Sequence, residues 1–159
     1  MWTTFFSSAA SASATLAGLV FVAVSVNIQR ILQYPNLPSR AGSAIGTLIV
    51  VLTSSLATLI MQRRDFLGME VLLFAILGWA LEVWSKRQAV MNRQLVGRSA
   101  FEILMEIMFG QFQLVPFIVG GVLLIRDDET GMYWLATGAI TTFIFGVFNA
   151  WVLLVEILR

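Results

Sequence analysis

The sequence contains no cysteine and no histidine. Disulfides, thiol catalysis and zinc or haem ligation through those side chains are therefore excluded. Charge is scarce too: Asp, Glu, Lys and Arg make up 12% of the 159 residues, about half the share in a soluble domain. The net charge of +1 offers no basic footprint for nucleic acid. The apolar runs hold no aspartate, the chain has no HExxH pattern, and Gly-rich phosphate loops are absent. Intramembrane proteolysis needs a serine with a base, a metal site or paired aspartates, so no enzyme, metal site or cofactor is expected.

What fills the chain is hydrocarbon. Hydrophobic residues make up 58% of it, and the mean hydropathy is +0.87. The excess is gathered into long runs, the mark of transmembrane helices. The expected fold is all-α: a polytopic integral membrane protein, with about five transmembrane helices in one bundle. The predicted helices cover about 5–32, 40–62, 66–96, 99–125 and 132–158, forming a single transmembrane domain over 1–159. The first is not read as a signal peptide. It lacks a basic leader, and its small Ala and Ser residues precede the apolar run instead of following it.

Punctuation between the runs is clear. Pro35 and Pro38 mark a turn through which neither flanking helix is expected to continue. Asp65 is a candidate N-cap for the third helix, and Ser99 with Glu102 spells a capping box for the fourth. The short polar run Arg126 to Gly131 predicts that the last two helices are antiparallel neighbours. In the first helix Ala10, Ala14 and Gly18 recur every fourth residue. Such spacing lets helix backbones approach closely, within one chain or between copies.

The run from Ser99 to Ile125 is long enough to cross a bilayer, yet it carries Glu102, Glu106, Gln111 and Gln113. At 100° per residue Glu102, Glu106 and Gln113 share a face, and polar groups turn away from lipid. Glu82 on the third helix, and Asn149 and Glu156 on the fifth, reach similar depths. Together these residues predict a polar column that favours cations. A structural reading competes with it. Glu82 precedes Lys86 by four residues, and Arg98 and Arg159 lie near Glu102 and Glu156, so the acids have bases to pair with.

Basic residues are unevenly placed. With five spans, Arg30, Arg40, Lys86, Arg87, Arg93, Arg98 and Arg159 fall on one side, and Arg63, Arg64 and Arg126 on the other. The positive-inside rule then sets the amino terminus outside and the carboxyl terminus in the cytoplasm of a cell (inner) membrane. The expected function is a small homo-oligomeric channel or transporter for protons or inorganic cations. Its route is lined by Glu106, Glu82, Gln113, Asn149, Glu102 and Glu156, and its helix or oligomer contact is Ala10, Ala14 and Gly18. The rival is a non-conducting subunit that binds, regulates or scaffolds another membrane protein. Beyond these, the expected partner is the lipid bilayer, with no nucleic acid.

Overall fold

The computed structural model describes residues 2–33, 37–60, 62–91 and 100–158. Only the backbone is described at 30, 37, 39, 40, 85, 86, 88–91, 100–107, 109, 149, 150 and 152–158. Among the described residues the fold is helical throughout: α1 (Trp2–Val26), α2 (Ile28–Ile31), α3 (Leu37–Leu59), α4 (Arg64–Met91), α5 (Ala100–Ile125) and α6 (Thr130–Leu158). Four stretches are long and apolar enough to cross a membrane: Trp2–Val26, Ala41–Leu59, Arg64–Trp84 and Thr130–Phe148. In α5 the apolar stretch Gly110–Ile125 is shorter.

The helices differ from the sequence reading at their ends, for local reasons. The expected first helix breaks at Asn27, whose side-chain amide donates to the Ala23 carbonyl at 3.0 Å while its backbone N–H turns to Val24. One further turn, α2, then seats Ile31 against Ala41 and Val24. α3 starts at Leu37, ahead of the expected boundary, because Pro38 is tolerated in a first turn where its missing N–H has no helical partner. Asp65 is not the N-cap of α4. The Arg63 carbonyl accepts the Leu67 N–H at 3.1 Å, so the helix has begun before Asp65, whose carboxylate instead takes the Arg63 guanidinium at 2.9 and 3.1 Å. Ser99 and residues 92–96 lie outside the described residues.

α3, α4, α5 and α6 alternate in direction, as pairs of contacts along each interface show. Ser43 meets Glu82 and Val50 meets Gly78; Trp79 meets Gln111 and Gly68 meets Gly121. α1 runs antiparallel to α3, with Ser13 donating to the Leu48 carbonyl at 2.5 Å. Trp2 therefore stands at the same end as the α5–α6 turn, its ring 4.8 Å from that of Tyr133. This is called the Trp2 end below. The dry core joins Phe6, Val51, Val71, Leu114, Phe117 and Leu135. α3 packs on three helices, α1, α4 and α6. The small residues of α3 let three neighbours approach it.

The closest approaches are made by glycine. A methyl group at Gly68 would lie 2.7 Å from the Gly121 carbonyl oxygen and 2.8 Å from the Ile125 nitrogen. One at Gly120 would lie 2.9 Å from the Gly131 carbonyl oxygen. Consecutive residues are 100° apart on a helix, so this pair sets α5 against α4 on one side and α6 on the other. In α1 only Ala10 of the expected contact is buried; Ala14 is exposed, and a methyl at Gly18 would meet nothing within 4 Å. α1 packs instead through Phe6, Ala9, Ser13 and Val20.

The α5–α6 turn is held by backbone and side-chain bonds. Asp127 sits at φ 60°, its N–H donating to Leu124 and that of Asp128 to Leu123, each at 3.0 Å. This is a Schellman ending with aspartate where glycine is usual. Asp128 then caps α6, accepting the Thr130 N–H at 2.9 Å and hydroxyl at 2.8 Å. These two bonds hold its carboxyl below the ordinary carboxylate range. Arg64 of α4 reaches across to Asp127 at 3.2 Å and to Glu129.

Two outcomes follow for protein in detergent. Gly68→Ala must push main chain apart and should cost about 1–3 kcal/mol, whereas Gly18→Ala should stabilise by about 0.5–1 kcal/mol through helix propensity alone. Thermal melts with equal effects at both sites would sink this assignment of the contacts. Asp128→Ala should lower the melting temperature at neutral pH. Because folding depresses the Asp128 pKa, its contribution is complete above the ordinary value of 3.8 and fades as pH falls through the lower folded value. The gap between wild type and variant should close in acid.

Candidate polar site

Seven polar side chains are buried among the described residues: Ser13, Thr47, Ser54, Ser55, Glu82, Gln113 and Thr142. Glu82 is the only ionisable one of them. It is 3% exposed, and the Ser43 hydroxyl donates to its Oε2 at 2.5 Å. Ser43 begins a stripe on α3 that Thr47, Ser54 and Thr58 continue, spacings that keep all four within about 60° of one another. Thr47 and Thr58 spend their hydroxyls on carbonyls of their own helix. Ser43 is the member whose hydroxyl crosses to another helix.

Glu82 thus lies where α3 and α4 meet, one turn beyond the Gly78 notch that receives Val50. On the Trp2 side of that notch Val51, Val71, Leu114 and Phe117 form an apolar cluster, and the uncharged Ser54, Ser55 and Thr142 are buried there as well. On the far side Thr47 and Glu82 are buried, together with Ile31, Ala41 and Ala44. A carboxylate in such a place needs hydrogen-bonding partners, because the desolvation cost of an isolated charge is prohibitive.

Gln113 is also 3% exposed and lies on α5 beside Leu114. Gln111 points elsewhere, accepting the indole N–H of Trp79 on the α4 side. Three residues along each helix from that bond, Glu82 comes level with about residue 108, so the backbone of Glu106 lies roughly half a turn farther on. On α6, three residues past the Leu48–Gly146 contact, the backbone of Asn149 reaches about the level of residue 45. The helix positions of Glu82, Glu106 and Asn149 are thereby brought to similar depths. The side chains of Glu102, Glu106, Asn149, Glu156 and Lys86 lie outside the described ones. Among the described residues no three acidic side chains converge.

Ser43 was not singled out from the sequence, though it precedes Thr47 by one helical turn on the same side. Glu70 was missed as well. It is half-buried near the Trp2 end and accepts the Gln62 amide at 2.7 Å, tying the α3–α4 turn to α4. A lone glutamate in an apolar run looks the same in sequence whether it faces a turn or a core.

The chain matches no protein-family model, no curated protein and no solved structure. The buried arrangement around Glu82 is therefore the basis for any functional reading.

Ser43→Ala should destabilise the bundle by about 1.5–3 kcal/mol, the range for a hydrogen bond to a charged group. Ser43→Thr, which keeps the hydroxyl, should recover most of that. Equal losses in the two variants, measured by thermal unfolding, would show that the serine matters for its size alone.

Proposed function

We propose that this chain is a five-span integral membrane protein that moves protons or inorganic cations as a homo-oligomer, with Glu82 as the central cation-binding group. The observation that carries the reading is a carboxylate 3% exposed inside an apolar helical bundle. Ionisable groups in such positions are expensive and mark ion routes more often than ordinary packing sites. A carboxylate beside a narrow path attracts cations and repels anions. Glu106, Glu102, Gln113, Asn149 and Glu156 extend the route along α5 and α6.

The oligomer enters for a physical reason. On the Trp2 side of Glu82 the interior of one chain is closely packed, with an apolar cluster of Phe6, Val51, Val71, Leu114 and Phe117, so the route needs a surface shared between copies. The outward face of α1, with Ser7, Ser11, Ala14 and Gly18 exposed, is the natural candidate, since small residues permit close helix contact. The amino terminus is placed outside and the carboxyl terminus in the cytoplasm on the basic-residue asymmetry.

That same packed hydrocarbon favours one second reading, a non-conducting subunit in which Ser43 and Glu82 only fix α3 against α4. Reconstitution into liposomes with a pH- or potassium-sensitive dye separates the two. Conduction predicts that wild type dissipates an imposed gradient faster than empty vesicles. Glu82→Gln should slow it about tenfold, equivalent to ~1.4 kcal/mol in the barrier. Wild type indistinguishable from empty vesicles, for every cation and both polarities, supports the non-conducting subunit. Unchanged flux in Glu82→Gln removes this residue from the route.

A further inference from the structure

Hydroxyl groups inside an apolar bundle ordinarily bond to the carbonyl one turn earlier on their own helix. Thr15, Thr53, Thr58, Thr137 and Thr141 all do so, at 2.8–3.0 Å. Ser54 and Thr142 do not. Both are fully buried, and neither hydroxyl has a hydrogen-bond partner among the described residues.

The reason is the residue before each of them. The carbonyl that Ser54 would use belongs to Val50, and it takes the longer arm of a bifurcated Thr53 hydroxyl bond, 3.2 Å against 2.8 Å to Ile49. The carbonyl that Thr142 would use belongs to Gly138, and it shares the Thr141 hydroxyl with the Thr137 carbonyl, each at 3.0 Å. Each carbonyl also serves its helical N–H, so a further hydroxyl would find it crowded. The same local arrangement thus occurs twice, on α3 and on α6.

These two helices pack against each other. Leu48 lies on Gly146, and the helices are antiparallel, so Thr142 comes level with about residue 52, roughly half a turn from Ser54. The Phe117 ring lies on Gly138. Four residues back along α5 and four on along α6, Gln113 reaches the depth of Thr142. Three helices therefore carry a buried polar group to about one level of an otherwise apolar core. A buried polar atom without a partner is costly, and native interiors meet that cost with ordered water held by two to four polar groups.

We infer that at least one ordered water molecule binds inside the bundle between the hydroxyls of Ser54 and Thr142. Its site lies beside two threonines whose bifurcated hydroxyls crowd the carbonyls that Ser54 and Thr142 would otherwise use. The inference stands apart from the role given to Glu82 and holds for a conducting or a silent protein.

Radiolytic footprinting of wild type in lipid vesicles is the deciding experiment. A brief X-ray pulse converts bound water to hydroxyl radicals, which oxidise the side chains beside it. Oxidation of Leu114 or Phe117, both buried, is expected, and its loss in the Ser54→Ala, Thr142→Val double variant. Absence of oxidation in wild type, or equal oxidation in the double variant, overturns the inference. Melting temperature gives a second arm with opposite signs. A shared water predicts that Thr142→Val lowers it by about 2–4 °C and that the second substitution adds little. Dry, stranded hydroxyls predict that Thr142→Val leaves it unchanged or raises it, which also overturns the inference.

Discussion

A polar group buried among packed hydrocarbon needs a hydrogen-bonding partner, because leaving it without one is costly. Most of the architecture follows from that constraint. Threonine hydroxyls of α3 and α6 such as those of Thr53, Thr58, Thr137 and Thr141 curl onto their own helices, while Ser54 and Thr142 make no such bond. Ser13 crosses to the Leu48 carbonyl and so sets α1 on α3. The indole of Trp79, on an exposed face, is satisfied by Gln111 of the next helix. Even the α5–α6 turn leaves few groups unpaired, since its Schellman bonds and the Asp128 cap take up the helix ends.

The same constraint divides the interior in two. Toward the Trp2 end the buried polar groups are uncharged, among them Ser54 and Thr142, and the charges stay at the rim on Arg64, Asp127, Glu129 and Glu70. Toward the other end a carboxylate is admitted, and Ser43 is there to meet it. The change falls at Gly78, where Val50 fills the notch. Among the described side chains, one half holds a buried carboxyl group and the other only uncharged polar groups. That asymmetry frames both functional readings.

The helical class was legible because long apolar runs have few other outcomes, and the turn at 126–129 was legible because charges and glycine interrupt two such runs. Packing partners were not. The repeat of Ala10, Ala14 and Gly18 has the spacing of a contact face, but spacing cannot tell an inward face from an outward one. Ser13, one position from the repeat, is where α1 meets α3. The Asp65 cap failed because an aspartate beside Arg63 and Arg64 gains more from a bidentate guanidinium inside the first turn than from one amide at its start. Ser43 went unread because a single serine in a small-residue run has no signature until the opposing helix supplies a carboxylate.

The paired glycines of α5 also bear on how such a chain is made. Each costs a helix about 0.5–1 kcal/mol relative to alanine, and Pro116, four residues before the first, removes a further backbone bond. α5 is intrinsically weakest along the stretch where the finished bundle grips it hardest. Leaving the ribosome, it gains little from standing alone, and its two stabilising neighbours arrive at different times. Gly68 has already been synthesised, while Gly131 follows at once across a short turn. α5 and α6 are thus suited to form together, as a hairpin whose second arm completes the first.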